Sequence, residues 1–201
     1  MKTLDLKKEL FFYKEKENEM NIVDIPELTY IMIDGSGDPN KEVYKESIEA
    51  MYALAYTIKF AYKKEDKDFV VMPLEGLWYH DDMKLFNANK KDEWKWTSMI
   101  LMPDYITKEE FEACKQTAFN KKKNNLIKNI RLEKLKEGKC VQTLYIGPYY
   151  LETKTIEAIH KHISDSGYKL SGKHHEIYLN DPRKVDPAKY KTIIRQPFTK
   201  K

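Results

Sequence analysis

Two short segments decide how this chain is read: Met72-Pro73-Leu74-Glu75-Gly76-Leu77-Trp78-Tyr79 and Lys173-His174-His175-Glu176-Ile177-Tyr178. Each sets a carboxylate in the middle of apolar, aromatic or imidazole side chains, and the two glutamates are 101 positions apart. Both segments read as strands that follow a helix. Because strand side chains alternate, Glu176 shares a face with His174 and Tyr178, while His175, Ile177 and Leu179 point the other way. Glu75 shares its face with Leu77 and Tyr79, and Trp78 points away. An unpaired carboxylate buried in such a strand costs several kcal/mol, so each must be hydrogen-bonded, protonated or offered to a ligand.

The flanking sequence repeats as well. Upstream of Glu75, Thr29 to Ile33 is a run of strand formers ending in the turn-rich Asp34-Gly-Ser-Gly-Asp-Pro-Asn40. Tyr44, Ile48, Met51, Ala55, Ile58 and Tyr62 then recur at helical spacing, with Asp38 or Asn40 as N-cap. Phe69 to Tyr79 and Trp94 to Met102 read as strands, the latter stopping at Pro103. Thr107-Lys-Glu-Glu110 is a capping box that opens a helix to about Asn120. From Asn129 the order restarts: extended chain to Leu135, a turn at Glu137-Gly138, a strand from Cys140 to Ile146, and a helix from about Leu151 to Ser166. Strands His174 to Leu179 and Tyr190 to Gln196 complete it, the last ending at Pro197. The pattern predicts an α+β fold made of a duplicated unit with antiparallel sheets. Residues 1–20 form an N-terminal extension, 21–120 a first module, 121–128 a basic connector and 129–201 a second module. The two modules are expected to share a ligand cleft.

Composition narrows the function. With 3 Trp, 14 Tyr and 8 Phe in 201 residues the chain is no disordered segment, and it is long enough to bury a core without staples. No apolar run approaches the ~20 residues of a membrane span, and acidic residues occupy the place of a signal-peptide core, so a cytoplasmic protein is expected. Cys114 and Cys140 lack ligand spacing and read as core residues. The net charge of +4 raises the question of nucleic acid. Lys121, Lys122, Lys123, Lys128, Arg131, Lys134, Lys136 and Lys139 stand against only Glu133 and Glu137, so this one stretch carries the positive excess and the remainder is slightly acidic. A single basic run without interleaved aromatics reads as a solvated, partly flexible link and argues against a nucleic-acid partner.

Chemistry-bearing motifs are few. There is no phosphate loop, GxSxG elbow or HExxH pair, and Gly35-Ser36-Gly37 reads as turn chemistry. His160 and His162 diverge on their helix, and His174 and His175 on their strand, so neither pair makes a metal site. Trp94, Trp96 and Ser98 alternate onto one strand face. Two acidic strands among Trp, Tyr and His suit a pocket for a flat, apolar aromatic ligand. This reading needs no metal or organic cofactor.

Several blocks together carry a resemblance. Asp34-Gly-Ser-Gly-Asp-Pro-Asn40, Met51 to Lys59, Met72-Pro-Leu-Glu-Gly-Leu-Trp78, Trp94-Lys-Trp96 with Met99 to Asp104, Ile146-Gly-Pro-Tyr149, and His174 to Arg183 with Lys191 to Pro197 resemble the GyrI-like small-molecule-binding family over roughly residues 20–198. The resemblance implies tandem β-α-β-β modules of the SHS2 kind around a central cleft. It implies that Glu176 matches the buried glutamate that meets ligands in drug-binding relatives. Stand-alone members similar to this chain hydrolyse cyclopropane-bearing DNA-alkylating compounds, which points to Glu75, Trp78, Trp96, Tyr145, Tyr149 and Tyr178.

The expected catalytic set is therefore Glu176 as base or water-positioner, Glu75 as a second acid or orienter, and Tyr178 and Tyr149 as hydrogen-bond donors. Trp78, Trp96, Tyr145, Met99 and His174 are the expected ligand-binding residues. Two other readings use the same sequence: a drug-sequestering or sensing protein without turnover, and a gyrase-interacting protein. The ~20 residues before the first module are too few for a helix-turn-helix domain, so a transcription regulator is not expected.

Overall fold

The structure, a computed structural model, describes residues 3–80 and 90–201. In chain order its helices and strands are α1 (Leu6–Glu9), β1 (Asn21–Ser36), α2 (Glu42–Lys63), β2 (Leu74–Tyr79), β3 (Lys95–Leu101), α3 (Lys108–Lys122), β4 (Arg131–Ile146), α4 (Thr153–Asp165), β5 (Tyr168–Leu170), β6 (His174–Tyr178) and β7 (Lys191–Lys200). The fold is α+β with antiparallel strand pairs. Two compact units interleave along the sequence: unit 1 takes the described parts of Met1–Glu9, Leu28–Met72 and Tyr79–Leu135, and unit 2 takes Leu10–Glu27, Pro73–Trp78 and Lys136–Lys201.

In unit 1 the second part of β1 pairs with β3, from Tyr30 opposite Leu101 to Ser36 opposite Lys95. Helix α2 buries Ala50, Met51, Leu54, Ala55, Ile58 and Tyr62, one stripe at the spacing expected from the sequence. Trp96 meets Tyr44 edge-on at 4.9 Å. It also lies so close to Gly35 that a Cβ there would fall 2.2 Å from the indole, which is why glycine occupies that position. The N-cap of α2 is Lys41, without a side-chain bond, because Asp38 instead accepts from the backbone N–H of Asn40 at 2.9 Å. At α3 Thr107 caps as expected, accepting from the Glu110 N–H at 3.2 Å. The reciprocal arm differs: the Thr107 N–H donates to the Tyr62 hydroxyl at 3.2 Å, and Tyr62 in turn donates to Glu110.

The basic stretch is anchored by apolar and aromatic contacts. Lys123 closes α3 in the left-handed region (φ 56°), and Lys128 lies over the Phe119 ring at 4.1 Å. Ile127 and Ile130 are buried, Lys121 and Lys122 end α3, and Arg131, Lys134, Lys136 and Lys139 enter β4. Apolar anchors at every few positions fix a segment whose charge suggested a tether. The expected turn at Glu137-Gly138 is absent: Gly138 takes φ +67° inside a continuous 16-residue strand, a conformation that glycine adopts without a Cβ clash.

Unit 2 is built on β7. β6 pairs along one side, from His175 opposite Arg195 to Tyr178 opposite Thr192, and β4 along the other, from Cys140 opposite Pro197 to Ile146 opposite Lys191. β2 pairs with β6, setting Gly76 opposite Glu176. β7 runs on through Pro197 to Lys200, where β5, a strand too short to show a period, adds Tyr168 to Leu170. Ile159 and Ile163 of α4 pack on Val141, Ile194 and Phe198. Within the N-terminal extension, Phe12 and Tyr13 are buried in this unit. Among the described residues no helix is long and apolar enough to cross a membrane.

Candidate functional site

The registers sort unit 2 into two faces. One carries Glu75 and Leu77 of β2, His175 and Ile177 of β6, Ile193 and Arg195 of β7, and Cys140, Gln142 and Leu144 of β4. The other carries Gly76 and Trp78, then His174, Glu176 and Tyr178, then Thr192, Ile194 and Gln196, then Val141, Thr143 and Tyr145. Alternation thus sends Glu75 and Glu176 to opposite sides of the same strand pair.

The Glu75 face is an ionic core. Tyr13 donates its hydroxyl to Glu75, whose other oxygen meets His175 Nε2 at 2.9 Å. His175 Nδ1 meets Glu137 at 3.0 Å, and Glu137 accepts from Arg195 Nη1 at 2.8 Å. Arg195 Nε donates to Gln142 at 2.7 Å, and Gln142 Nε2 donates to the Phe12 carbonyl at 3.1 Å. Both His175 nitrogens face carboxylate oxygens, which only the imidazolium satisfies as a double donor. Burial opposes that charge, but Glu137 and Glu75 outweigh it and raise the pKa of His175. Burial likewise works against the Glu137 carboxylate, and His175 and Arg195 overcome it, bringing it down to about 2. Glu75, Glu137, His175 and Arg195 then balance two negative against two positive charges in an interior where an unpaired one would be expelled.

The Glu176 face has different chemistry. Glu176 Oε1 is 3.0 Å from His174 Nε2, and Oε2 accepts from the Tyr178 hydroxyl at 2.8 Å. The Trp78 indole N–H donates to that same hydroxyl at 3.0 Å. Gly76 makes room for the pair, because a Cβ there would come within 2.9 Å of Trp78 Nε1 and 3.2 Å of the Tyr178 oxygen. Tyr149 stands edge-on to Tyr178 at 5.5 Å and packs on Tyr190 at 4.9 Å. Glu176 is 7% exposed and Trp78 4%, while Tyr178, Tyr145 and Tyr149 are only partly covered, so the tyrosines form the accessible rim. His174 is 95% withdrawn from solvent, yet its Nδ1 has no hydrogen-bond partner among the described residues.

The Glu176 face thus sets a buried acid between an imidazole and a phenol beside an indole, and the GyrI-like small molecule binding domain matches residues 18–198. The chain belongs to the GyrI-like family. It is similar to an uncharacterized conserved protein from Listeria innocua at 37% identity and a TM-score of 0.91, covering 98% of this chain and 100% of that one. A protein called a hydrolase, also from Listeria innocua, is 36% identical with a TM-score of 0.88 and the same coverage. The EcmrR C-terminal domain, at 15% identity and a TM-score of 0.58 over 91% of this chain and 98% of its own, shares the fold. Among curated proteins none matches this chain.

In this GyrI-like chain the residues singled out from sequence separate into groups. Glu176, Tyr178, Trp78, His174 and Tyr149 come together. Tyr145 lies on the same face, its hydroxyl donating to the Pro148 carbonyl at 3.0 Å. Glu75 does not join them: it is fully buried on the other face with its carboxylate engaged, so it anchors strands rather than orienting Glu176. Trp96 and Met99 belong to unit 1, on opposite faces of β3, and are buried there, Met99 completely. Sequence reasoning missed Tyr13, Glu137, Gln142 and Arg195. The position of Arg195 in an otherwise apolar strand, Ile193-Ile194-Arg195, was the signal available for the last. Among the described residues no three His, Cys, Asp or Glu side chains converge to hold a metal ion.

Proposed function

We propose that this chain binds flat, apolar aromatic molecules against the Trp78, Tyr149 and Tyr178 rings and hydrolyses cyclopropanoid DNA-alkylating compounds, protecting the cell that makes it. The observation that carries the reading is the Glu176 carboxylate, buried and fixed by His174 and Tyr178 beside the Trp78 indole. The similarity to a hydrolase from Listeria innocua supports turnover. The chain order β1-α2-β2-β3 followed by β4-α4-β5-β6-β7 supports two modules of the SHS2 kind.

A strained, conjugated cyclopropane opens when water attacks a ring carbon and the electron pair of the breaking C–C bond moves to a distant carbonyl oxygen. Glu176 takes the proton of the attacking water, help worth roughly 10²–10⁴-fold. His174 and Tyr178 hold its carboxylate in one orientation, and Tyr149 donates to the developing oxyanion. Trp78 stacks the planar substrate so that water and ring carbon approach in line. Incubation with a cyclopropanoid alkylator is expected to give the ring-opened water adduct by mass spectrometry, and Glu176→Gln to abolish most of the rate. Unchanged turnover in that variant removes Glu176 from the mechanism.

A buried carboxylate beside aromatic rings also suits a cationic drug held without reaction. Quenching of Trp78 fluorescence with the ligand recovered intact after prolonged incubation supports that second reading, a sequestering or sensing role.

A further inference from the structure

Two hydroxyls on the Glu176 face have no hydrogen-bond partner among the described residues. Thr192, fully buried on β7, stands between Tyr178 of β6 and Tyr145 of β4, and Thr143, 3% exposed on β4, stands opposite Ile194. Neither Oγ1 makes a hydrogen bond among the described residues. A buried hydroxyl left alone is unfavourable, and two on one face beside a carboxylate form the polar setting in which an interior water takes its two to four partners. Glu176 pairs with Ile194, so Thr192 is the diagonal neighbour of Glu176 across β6–β7 and of Thr143 across β7–β4. Diagonal positions lie about 7–8 Å apart, too far for these short side chains to bond directly. Two hydrogen bonds in series span ~5.5 Å between oxygens, the reach of one bridging water. The intervening Ile194 packs on Ile159 and Ile163 of α4 and offers no competing polar group.

We propose that Thr192, supported by Thr143, holds an ordered water beside the Glu176 carboxylate, and that this water is the one consumed in hydrolysis. The second part rests on the function proposed above. One proton of the water passes to Glu176 as its oxygen bonds to the ring carbon. The released electron pair settles on the conjugated carbonyl oxygen, which takes a proton from solvent, and Glu176 returns its own proton to solvent. Thr192 is a positioning residue, because it acts through the water and not on the substrate.

Thr192→Val keeps the shape of the side chain and removes the hydroxyl. With a cyclopropanoid substrate, kcat is expected to fall 10–100-fold while KM and the Trp78 quenching affinity stay within about twofold, and Thr192→Ser to recover most of the rate. The melting temperature of Thr192→Val is expected not to rise, because the hydroxyl it removes is satisfied by water. An unchanged kcat, or a melting temperature higher by several degrees as removal of a dry, unsatisfied hydroxyl would give, overturns the inference. If the unmodified protein turns over no cyclopropanoid, the proposed function fails while the water site stays testable. A high-resolution crystal structure with a water bonded to Thr192 Oγ1 and Glu176, lost in Thr192→Val, supports it, and a dry Thr192 overturns it.

Discussion

Unit 2 presents the same two residue types twice, one position apart along β6 and across to β2, and treats them in opposite ways. On one face His175 lies between Glu75 and Glu137 with both nitrogens engaged, and every charge has an opposite beside it. On the other, His174 bonds Glu176 through one nitrogen and, among the described residues, the other nitrogen and two threonine hydroxyls on the same face have no partner. A saturated network is a scaffold. A carboxylate beside aromatic rings and unpartnered polar atoms is not saturated by the described residues. The difference comes from partner count and not from residue type.

Arg195 carries the largest expected effect. Replacing it by Met removes one counter-charge from a buried pair with Glu137, and the uncompensated carboxylate is expected to cost about 3–5 kcal/mol. For a chain of this length the melting temperature then drops by on the order of 10 °C in a thermal melt. A loss under ~1 kcal/mol would show that the Glu75 face is not a scaffold. Glu176→Gln should do the reverse: turnover falls roughly 10²–10⁴-fold while the melting temperature moves by only a few degrees, because the amide keeps the shape and an acceptor oxygen. A large loss of stability without loss of turnover would interchange the two roles.

Gly76→Ala sharpens the boundary between the faces. The added methyl meets Trp78 Nε1 and the Tyr178 oxygen, and overpacking of this kind costs about 1–3 kcal/mol. The expected sign is weaker ligand quenching of Trp78 with a moderate fall in melting temperature. Unaltered quenching would separate the indole from the binding surface.

The mildest perturbation is pH. His175 has its pKa raised in the folded state, so its contribution is complete below its unfolded value of 6.5 and is lost as pH rises through the higher folded value. Glu137 is held down to about 2, so its contribution is complete above 4.5 and is lost as pH falls toward 2. The melting temperature should therefore be highest between those limits and decline on the alkaline side before surface groups titrate. In Glu137→Gln that alkaline decline should flatten, and a decline of equal slope would assign it to another group.

Much of the fold was legible because it rests on local rules. The α2 stripe, the Thr107 cap and the alternation of His174, Glu176 and Tyr178 each follow from spacing within a few residues. The expected strand from Phe69 was shortened to Leu74–Tyr79, since Pro73 has no N–H to give a ladder. The site was half legible. Glu176, Trp78, Tyr178 and Tyr149 are named from sequence and do meet, whereas Glu75, grouped with them by repeat position and by the family resemblance, lies on the other face. Position in a repeat predicts a strand but not which face of a sheet a side chain takes, because one residue of register inverts every assignment.

By itself the sequence determined the long helices and the strands around both acids, that two strands carry an internal acid, and which side chains accompany each acid on its face. Those follow from periods of two and 3.6 that act within one element. Only the tertiary structure decided that Gly76 and not Glu75 lies opposite Glu176, that Glu137 and Arg195 close a buried ion network around His175, and that Thr192 is set diagonal to the candidate base. Those depend on strand register, which is fixed by hydrogen-bond ladders between segments up to a hundred residues apart. No spacing along the chain records it.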